Sequence, residues 1–140
     1  MADVSSVRYG VIVADDDLAV CEALGSLIDD HPALELYGSA HSGGDAALLA
    51  EQTQAHLVVA DVMMPGGGLE VIQAVHAVAP GAIVVMFTAS RSRLLHRSLV
   101  AGGAAAVFSK GDAIDLAESL ASLVALGRSR LAQPGSTAKP

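Results

Sequence analysis

The sequence predicts an α/β domain, a parallel sheet of five strands with helices on both faces. Three observations predict it. Short apolar runs alternate with stretches of helical periodicity five times along the chain. The runs are nearly continuous in Val, Ile, Leu and Ala rather than alternating, as strands buried on both faces require. Several of them stop at a residue able to do chemistry: an acid, a threonine or a lysine.

Residues 1–7 are polar and expected to fray. Tyr9–Ala14 (YGVIVA) is a first buried strand and runs into Asp15-Asp16-Asp17. Val20, Leu24, Leu27 and Ile28 then fall at i, i+4, i+7 and i+8, one face of a helix, with Asp17 as N-cap and Asp29-Asp30-His31-Pro32 as its stop. Leu34–Ala40 alternates weakly and reads as a second strand nearer an edge; a turn at His41–Gly44 leads to a short helix over Asp45–Gln52. Leu57–Ala60 is the third strand, ending at Asp61 before the turn Met63-Met64-Pro65 and three glycines. Leu69, Ile72, Val75 and Val78 suggest the inner face of a helix stopped by Pro80-Gly81.

Ala82–Phe87 is a fourth, wholly apolar strand, closed by Thr88-Ala89-Ser90. Arg91–Ala101 reads as a helix with a basic start (Arg91, Arg93, His96 and Arg97), and Gly102-Gly103 ends it. Ala104–Ser109 is the fifth strand, running into Lys110-Gly111. The last helix, Asp112–Leu126, carries Asp112, Asp115 and Glu118 early, where the helix dipole favours them. It has two apolar stripes, Ile114/Ala117/Ala121/Val124 and Leu116/Leu120/Leu123. One stripe packs on the sheet; the other either widens the buried face or offers a dimer or partner surface. Residues 127–140 read as a linker or tail, which leaves 8–126 as the domain.

At 140 residues the chain is one domain with room for a real core. Its residues are 52% apolar but only 3% aromatic, so the core is aliphatic. The net charge of −7 argues against nucleic-acid binding by this chain, since phosphate contacts need clustered Lys and Arg. No apolar run approaches the roughly 20 residues of a membrane span. The start, MADVSSVRYG, carries no signal-peptide pattern. The lone cysteine, Cys21, reads as a small packing residue and fits a cytoplasmic protein.

Right-handed crossovers bring all the strand C-termini to one edge, where open α/β sheets bind ligands. That edge gathers Asp15, Asp16, Asp17, Asp61, Thr88 and Lys110. Carboxylates from different strands, without His or Cys ligand spacing, suit Mg²⁺ rather than Zn²⁺. A carboxylate beside such an ion is a nucleophile toward phosphorus, because the metal lets two anions approach. A Lys ammonium and a Thr hydroxyl can take further phosphoryl oxygens, so the set suits phosphoryl transfer. The three glycines at 66–68 are followed by no GK[ST], which excludes a nucleotide loop.

With VIVADDD after the first strand, DVMMP at the third, Thr88-Ala89 after the fourth, and Gly103-Ala104 leading to Lys110, the chain resembles the receiver (CheY-like) domain of bacterial two-component response regulators over roughly residues 8–126. The resemblance implies a flavodoxin-like (βα)5 fold with strand order 2-1-3-4-5. It makes Asp61 the phosphoacceptor, with Asp15, Asp16, Asp61 and the carbonyl of Met63 holding Mg²⁺, and with Thr88 and Lys110 holding phosphoryl oxygens. The donor would be a sensor histidine kinase or phosphotransfer protein, and the face of the fourth and fifth helices a partner or homodimer surface. The protein would be a signalling domain rather than a metabolic enzyme. Met63 and Ser90, two residues after the Asp and the Thr, would flank the path of hydrolytic water.

This sequence departs from the family pattern in three places. The PGGGLE turn is one residue short. Val107 stands where an aromatic ring usually moves with the Thr, and strand alternation sends neighbouring Phe108 to the other face. Gly111 replaces the usual Pro, which resembles receivers preceding a helix-turn-helix domain (the NarL/FixJ-like group), although no such domain is read in 127–140. Two rivals stand beside this reading. Asp15-x-Asp17 resembles the start of the haloacid-dehalogenase phosphohydrolase motif, with Leu18 where Thr or Val belongs, and makes Asp15 the nucleophile. A receiver-like binding module independent of phosphorylation is the other. The five His residues show no metal-ligand spacing and read as surface or core residues.

Overall fold

Successive side chains of a strand point to opposite faces, and here both faces are apolar. β1 (Tyr9–Ala14) sends Val11 and Val13 one way and Ile12 and Ala14 the other, and β3 (Leu57–Asp61) and β4 (Ile83–Thr88) divide likewise. With β2 (Leu34–Ala40) and β5 (Ala106–Ser109) they form one parallel sheet in the order β2-β1-β3-β4-β5. This order and the edge position of β2 agree with the sequence reading. The structure, a computed structural model, describes residues 8–110 and 115–132, with side chains through Gly127. The readings for residues 1–7, for Asp112 and Ile114, and for 133–140 lie outside the described residues.

Two cores follow. On one face α2 (Gly43–Thr53), α3 (Gly67–Val78) and α4 (Arg93–Ala101) cover Ile12, Val58, Ala60, Val84 and Met86. On the other, α1 (Leu18–Asp29) and α5 (Leu116–Ala132) cover Val11, Val13, Leu57, Val59, Val85 and Phe87. Among the described residues no helix is long and apolar enough to cross a membrane.

Caps decide where the helices start. The Asp17 carboxylate accepts the Ala19 N–H and opens α1, as its sequence position suggests. Ser42 accepts the Asp45 N–H, so α2 begins at Gly43 rather than Asp45; Ser92 accepts the Leu95 N–H, so α4 begins at Arg93 rather than Arg91. Gly66 and Gly67 have φ of 93° and 83°, values that side-chain-bearing residues rarely adopt, and the Gly67 N–H closes the turn on the Met64 carbonyl. The third glycine, Gly68, is buried in α3, where an added Cβ would press on Leu99 and Met86.

The helix faces are rotated from the sequence reading. In α3 the buried residues are Gly68, Val71, Ile72 and Val75, while Leu69 and Val78 stay largely exposed. A three-residue spacing carried over nine residues ends about 180° from its start at 3.6 residues per turn, so those two leucine and valine positions never shared a face. In α1 the inner stripe is Cys21, Leu24, Gly25 and Ile28, with Leu27 outside; Gly25 lets the helix come close to Leu36 on β2. On α5 the two stripes merge. Leu116, Leu120 and Val124 are buried, and Ala117, Ala121 and Leu123 pack against the same core. Among the described residues the wider buried face therefore holds on this helix, and the helix continues past Leu126 to Ala132.

This packing predicts unequal losses along α5. Leu120→Ala, at a fully buried site, should lower unfolding free energy in urea by about 2–5 kcal/mol. Leu126→Ala, on the exposed side, should change it by less than about 0.5 kcal/mol. Equal losses would contradict the assigned face.

Candidate functional site

Parallel register puts the strand ends side by side: Ala14 pairs with Ala60, Asp61 with Phe87, and Thr88 with Ser109. The next residue of β1 is Asp15 and that of β5 is Lys110. Asp15, Asp61 and Thr88 are therefore fixed by the sheet itself and are 1%, 5% and 1% exposed. Asp16 stands beside them in solvent.

Carboxylate oxygens of Asp15, Asp16 and Asp61 lie within 4.8 Å of one another. Lys110 Nζ sits 3.6 Å from both Asp15 Oδ2 and Asp61 Oδ1, and 5.7 Å from the centre of the Phe87 ring. Asp15 Oδ1 accepts the Asp17 N–H at 2.9 Å, and Asp61 Oδ1 accepts the Met63 N–H at 3.1 Å. Each carboxylate is thus aimed by the turn that follows its own strand. The Thr88 hydroxyl oxygen accepts the Ser90 N–H at 3.0 Å.

Three carboxylates face one ammonium. Among the described residues, Asp15 Oδ2 is buried and accepts no hydrogen bond. Burial, first, raises the Asp15 carboxyl above its ordinary range, and the charge of Asp61 adds to this; the Asp17 amide and the Lys110 ammonium pull the other way. The one ammonium near this buried oxygen, Lys110 at 3.6 Å, is shared with Asp61, so the negative charge of the cluster is only partly compensated. The donor set, carboxylates without nitrogen or sulfur, fits a hard divalent ion.

All the strand-end residues expected from sequence are brought to this edge except one. The Asp17 side chain caps α1 and is not among the clustered carboxylates. The haloacid-dehalogenase reading needs Asp15 and Asp17 to share one site, and this geometry disfavours it. The Met63 side chain is 74% exposed, and the contact it makes with the site runs through its amide. Val107 packs against the core on the α2–α4 side and Phe108 on the α1–α5 side, as strand alternation requires.

Two histidines that sequence reasoning set aside reach the loops of this edge. His41 Nδ1 is 3.0 Å from the Asp15 carbonyl, which also accepts from Cys21 Sγ at 3.4 Å. His96 Nε2 is 2.9 Å from the Ser90 carbonyl. For His41 the signal was its place directly after a strand; for His96 none existed, because its partner is a loop carbonyl. Burial raises the Cys21 thiol above its ordinary value, with the Asp15 charge adding, so it remains a protonated packing group.

The family model of the response regulator receiver domain matches residues 11–121. The response regulator GacA of Pseudomonas protegens is 32% identical over 102 residues, 72% of this chain and 48% of GacA. UvrY of Escherichia coli is 28% identical over 104 residues, 74% of this chain and 48% of UvrY. This chain thus spans about half the length of these curated relatives. The signal receiver domain of NarL from Mycobacterium tuberculosis superposes with a TM-score of 0.79 at 20% identity, covering 85% of this chain and 98% of that one, which speaks for the fold. A five-stranded sheet in the order 2-1-3-4-5, an acidic cluster at its C-terminal edge and a family match over most of the chain make this protein a member of the response regulator receiver family of two-component systems.

Proposed function

We propose that Asp61 accepts a phosphoryl group from the phosphohistidine of a sensor histidine kinase or phosphotransfer protein in the cytoplasm. The observation that carries this is the placement of Asp61: buried at a strand end, 3.6 Å from Lys110 Nζ and clustered with two further carboxylates. Among the described residues, its contacts with Lys110 and with the Met63 amide both fall on Oδ1. Oδ2 is the attacking oxygen. It bonds to phosphorus as the P–N bond of the phosphohistidine breaks, and the electron pair stays on the imidazole nitrogen. Asp15, Asp16, Asp61 and the Met63 carbonyl would hold Mg²⁺, which would supply charge neutralisation at the phosphoryl oxygens. Lys110 takes one of those oxygens and the Thr88 hydroxyl another.

The product is an acyl phosphate on the chain itself, lost by slow hydrolysis, so the domain signals rather than turns over a metabolite. Output is read from α4. Its exposed Leu94 and Val100 stand with Arg93 and Arg97 in a chain that is otherwise acidic, and this face docks a partner or a second copy. Val107 favours a second reading, a binding module that works without phosphorylation; the acid cluster with its lysine weighs against it.

Intact mass after incubation with acetyl phosphate and Mg²⁺ tests the assignment. One phosphoryl adduct is expected, lost with EDTA and absent in Asp61→Asn. An adduct that survives Asp61→Asn but needs Asp15 would overturn it, and no adduct on folded wild type would favour the second reading.

We propose further that Met63, an apolar residue two positions after Asp61, slows loss of the phosphoryl group to water. Met63→Asn should therefore dephosphorylate several-fold faster, roughly the effect of placing one polar group near the reacting water. An unchanged decay of the adduct would refute this role.

Asp15 also fixes a pH dependence. The unfolded chain ionises near 3.8 and the folded site above it. Below 3.8 both states are protonated and no penalty exists; as pH rises, the unfolded chain ionises first and stability is lost until the raised folded value is passed. Without divalent metal, Asp15→Asn should melt higher than wild type at neutral pH, and the two should converge below 3.8. A lower melting temperature for Asp15→Asn at neutral pH would contradict the buried-charge account.

A further inference from the structure

Ser90 is bonded through its amide, hydroxyl oxygen and carbonyl to three elements, β4, α4 and β5. Its N–H donates to Thr88 Oγ1 at 3.0 Å. Its hydroxyl oxygen accepts the Ser92 N–H at 3.1 Å, and Ser92 is the N-cap of α4. Its carbonyl accepts from His96 Nε2 on α4 at 2.9 Å and from Ser109 Oγ on β5 at 3.4 Å. A carbonyl only accepts, so His96 carries its proton on Nε2 in this contact. The neutral tautomer with that proton and the imidazolium both donate, so the bond does not depend on the charge of the ring.

The residue that grips α4 is therefore bonded, one amide away, to the hydroxyl of Thr88. Val107 on β5 is aliphatic and half-buried, offering neither a ring to swing nor a donor for the loop. His96 offers both a ring and a donor, from the neighbouring helix. We infer that His96 is a positioning residue. It ties the Ser90 carbonyl to α4, so that a displacement of Thr88 toward a phosphorylated Asp61 is carried to α4 through this bond. The inference rests on the proposed phosphorylation of Asp61 and adds the route by which that event reaches the docking helix. A hydrogen bond transmits displacement only if it holds in both positions of the loop, and the two donors on one carbonyl, from α4 and β5, set the two elements that move with it.

Four chains test this: wild type, His96→Gln, His96→Leu and His96→Asn. The Gln amide reaches far enough to replace the Nε2–H donor, Leu has no donor, and Asn is polar but too short. Each is incubated with acetyl phosphate and Mg²⁺, the adduct is counted by intact mass, and amide hydrogen exchange of residues 94–101 is compared before and after. All four should take up the same single phosphoryl group. In wild type and His96→Gln the adduct should change exchange along α4. In His96→Leu and His96→Asn that change should shrink by roughly threefold to tenfold, the scale on which one neutral hydrogen bond shifts an equilibrium. Should the Leu variant lose its fold, the Gln and Asn pair gives the same comparison. An α4 response in His96→Asn and His96→Leu as large as in wild type overturns the inference, as does a His96→Gln response no better than theirs. Wild type that takes up no phosphoryl group fails at the mass measurement instead, which removes the reading beneath it.

Discussion

The arrangement of this domain turns on an electrostatic mismatch at one edge of its sheet. Two buried carboxylates, Asp15 and Asp61, share the single ammonium of Lys110, and the exposed Asp16 adds a third negative charge. In the interior such a grouping costs stability, and the raised ionisation range of Asp15 is the sign of that cost. Such a site persists because the rest of the fold holds it in place. Parallel pairing of β1, β3, β4 and β5 brings the acids, Thr88 and Lys110 to one edge irrespective of their mutual repulsion. Two cores of aliphatic side chains supply the stabilisation that offsets it.

The turns then convert strand ends into a site. Asp15 and Asp61 each accept the amide two residues on, which orients a carboxylate without using another side chain. Thr88 is held in the same way, and the chain of serines after it passes directly into the cap of α4. Thr88 at the sheet edge and the cap of α4 are thus separated by only two hydrogen bonds. A receiver needs such proximity if a small charge change is to bias a pre-existing pair of conformations.

Much of this was legible in the sequence because strands buried on both faces leave a plain mark. Leu57–Val59 and Val84–Met86 admit no polar residue, and the residues that stop such runs must lie at the sheet edge. Asp15, Asp61, Thr88 and Lys110 follow from that alone. Helix faces were less legible. Small residues in the inner stripes, Gly68 in α3 and Cys21 and Gly25 in α1, carry little hydrophobic signal, whereas Leu69, Leu27 and Val78 carry much and sit outside. The merger of the two stripes of α5 depends on how deeply that helix sits on Val85 and Phe87, a tertiary property. His41 and His96 were missed because their partners are main-chain carbonyls, which no residue spacing encodes.

The proposed function requires that the carboxylate cluster bind one divalent cation. Titration of the metal-free protein with Mg²⁺, followed by backbone amide NMR, tests it most directly. The account predicts saturable one-to-one binding, with the largest shifts confined to the ends of β1 and β3, residues 15–17 and 61–63. Shifts that never saturate, or that spread over the acidic surface without singling out those two strand ends, would contradict it.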